Sequence, residues 1–195
     1  SSEVVAFGQL RHTYLVVQVG GALTILDQHT AHERVLFERL FRAWAAREMT
    51  AQPLLIPESV DLSPPHAALL QRYREDLEKL GLELEPFGPA TVLVRSVPLG
   101  IGVINASAFL QDLLDDLNLW GHAASLEERV RPVLASLACH SAVRAGRPMG
   151  LPEIRQLTED WLAEGTIQTC PHGRRTVFQL TEAELEKLFG RVGWS

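Results

Sequence analysis

The sequence predicts an α+β fold, and three observations carry that reading. β-favouring strings open the chain, apolar residues at helical spacing follow from Asp27 onward, and strands and helices then mix without the regular alternation that a parallel sheet demands. The first and last quarters are therefore expected to share one sheet, with the middle inserted between them.

Val4 to Leu10 and Thr13 to Val19 read as strands, and Gly20-Gly21 supplies the positive-φ pair of a tight hairpin into a third strand, Ala22 to Leu26. Val35, Leu36, Leu40 and Trp44 then recur at helical spacing, predicting a helix from about His29 to Arg47. The string AQPLLIPESVDLSPP, with prolines at 53, 57, 64 and 65, reads as a break and a crossing between subdomains. Ser63 before Pro64 starts a helix that runs to about Leu80 and ends at Gly81. Short strands are expected near Leu82 to Glu85 and Thr91 to Val97. Asn105 caps a helix to Leu119, stopped by Gly121. Ser125 and Glu128 have capping-box spacing, so a helix starts there or restarts at Pro132, carries Cys139 and His140, and ends near Gly146. Pro152 opens a helix to about Glu164, Cys170 to Arg175 form a loop, Thr176 to Leu180 a strand, and Thr181 to Phe189 a last helix.

Composition narrows the class. Hydrophobic residues make up 46% of the 195 and charged residues 22%, ordinary for a soluble globular protein. No apolar run approaches the ~20 residues of a membrane helix. No apolar leader opens the chain, and two cysteines do not make a secreted disulfide framework, so a soluble cytoplasmic protein with free thiols is expected. The net charge of -6 argues against tight nucleic-acid binding by the chain alone, because that binding neutralises phosphates with lysine and arginine. Any contact with DNA must be local or assisted. Arg129, Arg131, Arg144, Arg147, Arg174 and Arg175 do recur beside the cysteines, as a phosphate-facing patch or as scattered solvated residues.

Both cysteines sit in strings that also hold a histidine, ACHSAVRAG around Cys139 and CPHGRRT around Cys170; a third string, DQHTAHERVLFE, lies far upstream. Asp27, His29, Glu33, Cys139, Cys170 and His172 offer sulfur, imidazole and carboxylate, the ligand classes zinc accepts. His29 and Glu33, four apart, share one helix face, a spacing that a solvated surface helix also shows. Cys170 and His172 stand one residue apart in a loop stiffened by Pro171 and freed by Gly173. Cys139 also fits a small core residue on its helix. Six ligand-type side chains exceed one tetrahedral zinc, so a second ion on shared carboxylates fits metal-activated water and phosphodiester displacement. A nucleophilic cysteine is the competing chemistry. Neither cysteine string matches a hydrolase pattern, and that alternative leaves the carboxylate-rich string without a task.

Taken in order, these strings closely resemble the C-terminal domain of the MutL family of mismatch-repair proteins, in the lineages whose members are endonucleases. The DQHA, two residues, Glu, four residues, Glu pattern is met by DQHTAHERVLFE, the Ala-Cys motif by ACHSAVRAG, the Cys-Pro-His-Gly-Arg-Pro motif by CPHGRRT, and the terminal Phe-x-Arg by Phe189 to Arg191. Thr30 and Arg175 depart from the family's alanine and proline without removing a ligand. The resemblance implies a split dimerisation subdomain over 1–48 and 148–195 that carries the endonuclease site, with an inserted outer or regulatory subdomain over 49–147. It also implies homodimerisation, manganese-dependent nicking of one DNA strand and a structural or regulatory zinc. Asp27 and Glu33 match its catalytic positions; His29, Glu33, Cys139, Cys170 and His172, together with Asp27, match its metal-binding ones. QPLLIP resembles the family's sliding-clamp peptide, implicating Gln52, Leu54, Leu55 and Pro57. Arg174 and Arg175 are candidate DNA contacts. No ATP site is expected in this chain, and the mismatch-recognition protein MutS would be met through a full-length protein in the bacterial cytoplasm, at the nucleoid during repair. The rival reading is a non-catalytic dimerisation and clamp-docking module with a structural zinc.

Overall fold

The computed structural model describes residues 3–102, 104–119 and 126–191, the last range without the side chains of 126–128. It is a mixed α+β protein with two antiparallel sheets, and it divides into two compact units, 1–35 with 142–195 and 36–141. No described helix is long and apolar enough to cross a membrane.

The first unit is built on the sheet β1-β2-β3-β7, from β1 (Val4–Leu10), β2 (Tyr14–Val19), β3 (Ala22–Asp27) and β7 (Val177–Leu180). Gly20 and Gly21 both take positive φ, 53° and 87°, and close the β2–β3 hairpin as a pair of this kind must. Asp27 ends β3 and begins α1 (Gln28–Ala45): its Oδ1 accepts the backbone N–H groups of His29 and Thr30, both at 3.0 Å, which is how an N-cap carboxylate satisfies a helix start. One face of the sheet presents Leu15, Val17, Val19, Leu26 and Val177, which pack with Ala31 and Val35 of α1 and with Ile154, Leu157 and Trp161 of α5 (Leu151–Ala163). The other face is also apolar. Val16 pairs with Ile25 and Ile25 with Phe178, while Phe7, Tyr14 and Phe178 stand 56%, 42% and 48% exposed. After β7 comes α6 (Glu182–Leu188), capped by Thr181 and burying none of its residues.

In the second unit the sheet order is β4-β6-β5, from β4 (Ala51–Asp61), β5 (Glu83–Pro86) and β6 (Thr91–Pro98), accompanied by α2 (Pro64–Glu78), α3 (Ala106–Leu119) and α4 (Leu126–Ser141). Ser63 caps α2 by accepting His66 N–H at 3.3 Å, and Asn105 Oδ1 caps α3 by accepting Ala108 N–H at 2.9 Å. The expected break after Ala51 is corrected to a strand. Proline removes a ladder donor, yet an edge strand or a bulge tolerates it, and β4 is both. Its pairing to β6 slips between Pro53 and Glu58, so residues 54–57 leave the ladder; Leu55 and Ile56 are 103% and 80% exposed. α4 runs through Pro132 and ends at Ser141 rather than near Gly146, which occupies a later turn with φ 89°. The helix stop at Gly121 and the capping box of Ser125 and Glu128 lie outside the described residues.

Candidate metal centre

Local sequence sets each member of the cluster in place. Glu33 lies on the second turn of α1 and is fully buried, with its Oε2 unpartnered by any hydrogen-bond donor among the described residues. Its other oxygen, Oε1, meets His172 Nδ1 in a short contact. Cys170 and His172 occupy the tip of a narrow loop: Thr169 bridges Arg175, Cys170 N–H donates to the Arg174 carbonyl at 2.8 Å, and Gly173 N–H donates to the Cys170 carbonyl at 2.9 Å. Gly173 turns the chain at φ 82°, a region that favours glycine. One ligand atom each from Glu33, Cys170 and His172 lies within 4.8 Å of the others.

On the same helix face, His29 Nε2 is 4.0 Å from Glu33 Oε2, while His29 Nδ1 reaches the Val143 carbonyl at 3.1 Å. A carbonyl only accepts, so Nδ1 carries a proton, and in the neutral form of the ring Nε2 offers a lone pair. That lone pair faces a carboxylate oxygen which itself lacks a donor. Two facing acceptors in a buried place fit a cation between them, and the thiol, imidazole and carboxylate set suits zinc.

Burial pushes the Cys170 thiol up; the backbone N–H groups of Arg174 and His172 oppose the rise, and the Glu33 carboxylate adds to it. The metal-free thiol is therefore protonated at neutral pH, and an ion that takes it as thiolate must displace the proton. If zinc takes that thiolate, its affinity should fall by about tenfold for each pH unit lowered across the neutral range, per proton displaced. Zinc titrations between pH 6 and 8 check this, and a flat profile would remove Cys170 from the ligand set.

Asp27 uses Oδ1 for the N-cap, which engages one of its two carboxylate oxygens. Cys139, half-buried, is on α4 in the second unit. Arg174 and Arg175 are exposed on the loop, and Gln52, Leu55 and Pro57 are exposed and Leu54 half-buried on β4. Spacing gives no hint of Gln28, which is fully buried. Its Nε2 donates to the Arg144 carbonyl at 2.8 Å and the Arg147 carbonyl at 3.2 Å, and its Oε1 accepts from Gln9. This glutamine lashes the 144–147 segment beside the start of α1. Only its place inside the Asp-Gln-His string marks it.

These features define an α+β domain with a candidate metal-ligand cluster at a strand-to-helix junction. Residues 7–149 match the family described as the MutL C terminal dimerisation domain. The chain belongs to that family. It is similar to the DNA mismatch repair protein MutL of Caulobacter vibrioides, 43% identical over 95% of this chain and 29% of that protein. The MutL proteins of Paramagnetospirillum magneticum and Rhodospirillum rubrum are 42% and 41% identical, each over 95% of this chain and 31% and 30% of their own lengths. The chain thus spans about three-tenths of the length of the curated relatives it matches.

Proposed function

We propose that this chain is the dimerising, metal-dependent DNA-nicking domain of a bacterial MutL protein acting in mismatch repair. The observation that carries the reading is the buried Glu33 carboxylate, with an unpartnered oxygen, grouped with Cys170 and His172 and facing the His29 lone pair. Zinc would be held by His29, Glu33, Cys170 and His172, with Cys139 entering from its sequence motif. Manganese favours oxygen ligands and would draw on the carboxylates of Asp27 and Glu33. When bound, such ions activate water and stabilise the departing oxygen of a phosphodiester. Arg174 and Arg175 supply exposed positive charge near the cluster for the DNA backbone. MutS would be met through the full-length protein, in the cytoplasm and at the nucleoid.

The proposal is tested with supercoiled DNA and manganese. Wild type should nick, and Asp27→Asn should not. Asparagine caps helices as well as aspartate does, so this substitution takes away the carboxylate while keeping the start of α1. Thermal melts of the two proteins should agree within a few degrees. Equal, background cutting by both would favour a non-catalytic docking module with a structural zinc.

The apolar outer face of the first sheet, with Ile25 between Val16 and Phe178, supports a second copy as the dimer partner. A two-fold interface would bury each residue twice, and a large apolar side chain contributes about 1.5–3 kcal/mol on burial. Ile25→Glu should shift the sedimenting species from dimer to monomer; an unchanged dimer would move the interface elsewhere. The ejected segment at 54–57 supports sliding-clamp binding through Gln52, Leu54, Leu55 and Pro57, because its leucines are free of the ladder. A ring already on DNA would also deliver a nuclease of net charge -6 to its substrate.

A further inference from the structure

We infer that His32 is a positioning residue of the proposed metal centre, holding the Val143 peptide that sets the tautomer of His29, and that it is not itself a ligand. This rests on the metal-centre reading above, which does not assign His32 a role.

Backbone groups are directional: an N–H only donates and a carbonyl only accepts. Val143 N–H donates to His32 Nδ1 at 2.9 Å. A backbone N–H only donates, so Nδ1 of His32 is unprotonated, its lone pair is used, and the neutral ring carries its proton on Nε2. Neither nitrogen is then left to coordinate an ion. The same residue's carbonyl accepts from His29 Nδ1 at 3.1 Å, and this leaves the His29 Nε2 lone pair 4.0 Å from the unpartnered Glu33 oxygen. His29 and His32 are three apart on α1, so they lie on neighbouring parts of one helix face and together grip Val143 by both its polar groups. The two carbonyls bonded by Gln28, at Arg144 and Arg147, hold the chain just beyond. Orientation of a ligand histidine through the bond made by its other nitrogen is a general device of metal sites, and removing such a partner typically lowers metal affinity by about 10- to 100-fold. Here the partner is a main-chain carbonyl, so the removable part of the device is one step further out, at His32.

The test uses three substitutions in the full chain. Asparagine places its side-chain oxygen where the histidine Nδ1 stands, so His32→Asn keeps an acceptor for Val143 N–H; His32→Ala removes it, and His32→Gln moves it one bond outward. Zinc affinity, measured by competition with a chromogenic chelator, should fall by about 10- to 100-fold in His32→Ala and His32→Gln and stay at the wild-type value in His32→Asn. Nitrogen NMR of the metal-free protein should find His29 as the single Nδ1–H tautomer in wild type and His32→Asn, and as a tautomer mixture in His32→Ala. Wild-type affinity in His32→Ala, or equal losses in the alanine and asparagine proteins with the His29 tautomer unchanged, would overturn the inference. If wild type bound zinc no better than Cys170→Ser, the metal reading itself would fall, and the tautomer measurement would still decide whether His32 governs His29.

Discussion

Glu33→Gln should abolish strand cutting and weaken zinc binding by about a hundredfold or more, ~2.7 kcal/mol, while leaving the metal-free protein at least as stable as wild type. The two halves of that expectation come from one feature. Glu33 is fully buried, and its Oε2 has no hydrogen-bond donor among the described residues. A buried carboxylate oxygen without a partner is a cost to the metal-free fold and a gain only once a cation arrives. Glutamine retains an oxygen that can accept from His172, so the contact to the loop survives, while the charge that would draw an ion is gone. Melting after chelation, zinc titration and the nicking assay should be run on the same preparations. A metal-free variant destabilised by several kcal/mol would mean that the carboxylate serves the fold through its histidines rather than an ion.

Trp161→Ala should be the most damaging change in the core of the first unit, costing about 3–5 kcal/mol. Trp161 is 1% exposed among Leu15, Val17, Ile154 and Leu157, and its indole N–H donates to the Ile167 carbonyl at 3.1 Å. That carbonyl lies just ahead of Gln168, whose own carbonyl accepts Thr176 N–H at the base of the cysteine loop. Loss of the ring therefore removes packing and unfastens the approach to Cys170. Trp161→Phe separates the two effects: most of the packing stays but the Ile167 carbonyl loses its donor, for about 1–3 kcal/mol. Denaturant unfolding measures both, and zinc affinity should fall further in the alanine protein than in the phenylalanine one. Equal affinities would show that the loop holds its form without the indole.

Features governed by neighbours along the chain are legible in residue identity alone. The Gly20-Gly21 hairpin, the Ser63 and Asn105 caps and the switch from strand to helix at Asp27 depend on a few adjacent residues, and each stands at its expected position. The pairing of the last strand with the third is legible only coarsely, as a shared sheet, because register between distant strands is set by packing. β4 reads as a linker because proline punctuates sequence in linkers and at bulged edges alike, and only the neighbouring strand distinguishes them. Within the cluster, the i, i+4 spacing of His29 and Glu33 is readable, whereas His172 meets Glu33 across 139 positions and can be paired with it only through the likeness of whole motifs. His32 and Gln28 escape such reading because their partners are main-chain atoms more than a hundred positions away, and backbone leaves no signature in residue identity.

Asp27 joins an observed demand, the cap of α1, to a proposed one, a carboxylate for a hard cation, and this shapes how the position can drift. Serine, threonine and asparagine all begin helices well, so each would leave α1 intact. None brings a negative oxygen to a hard cation. Each of these three substitutions would therefore remove the carboxylate that the proposed chemistry needs while keeping the start of α1, so a variant without that chemistry would still fold.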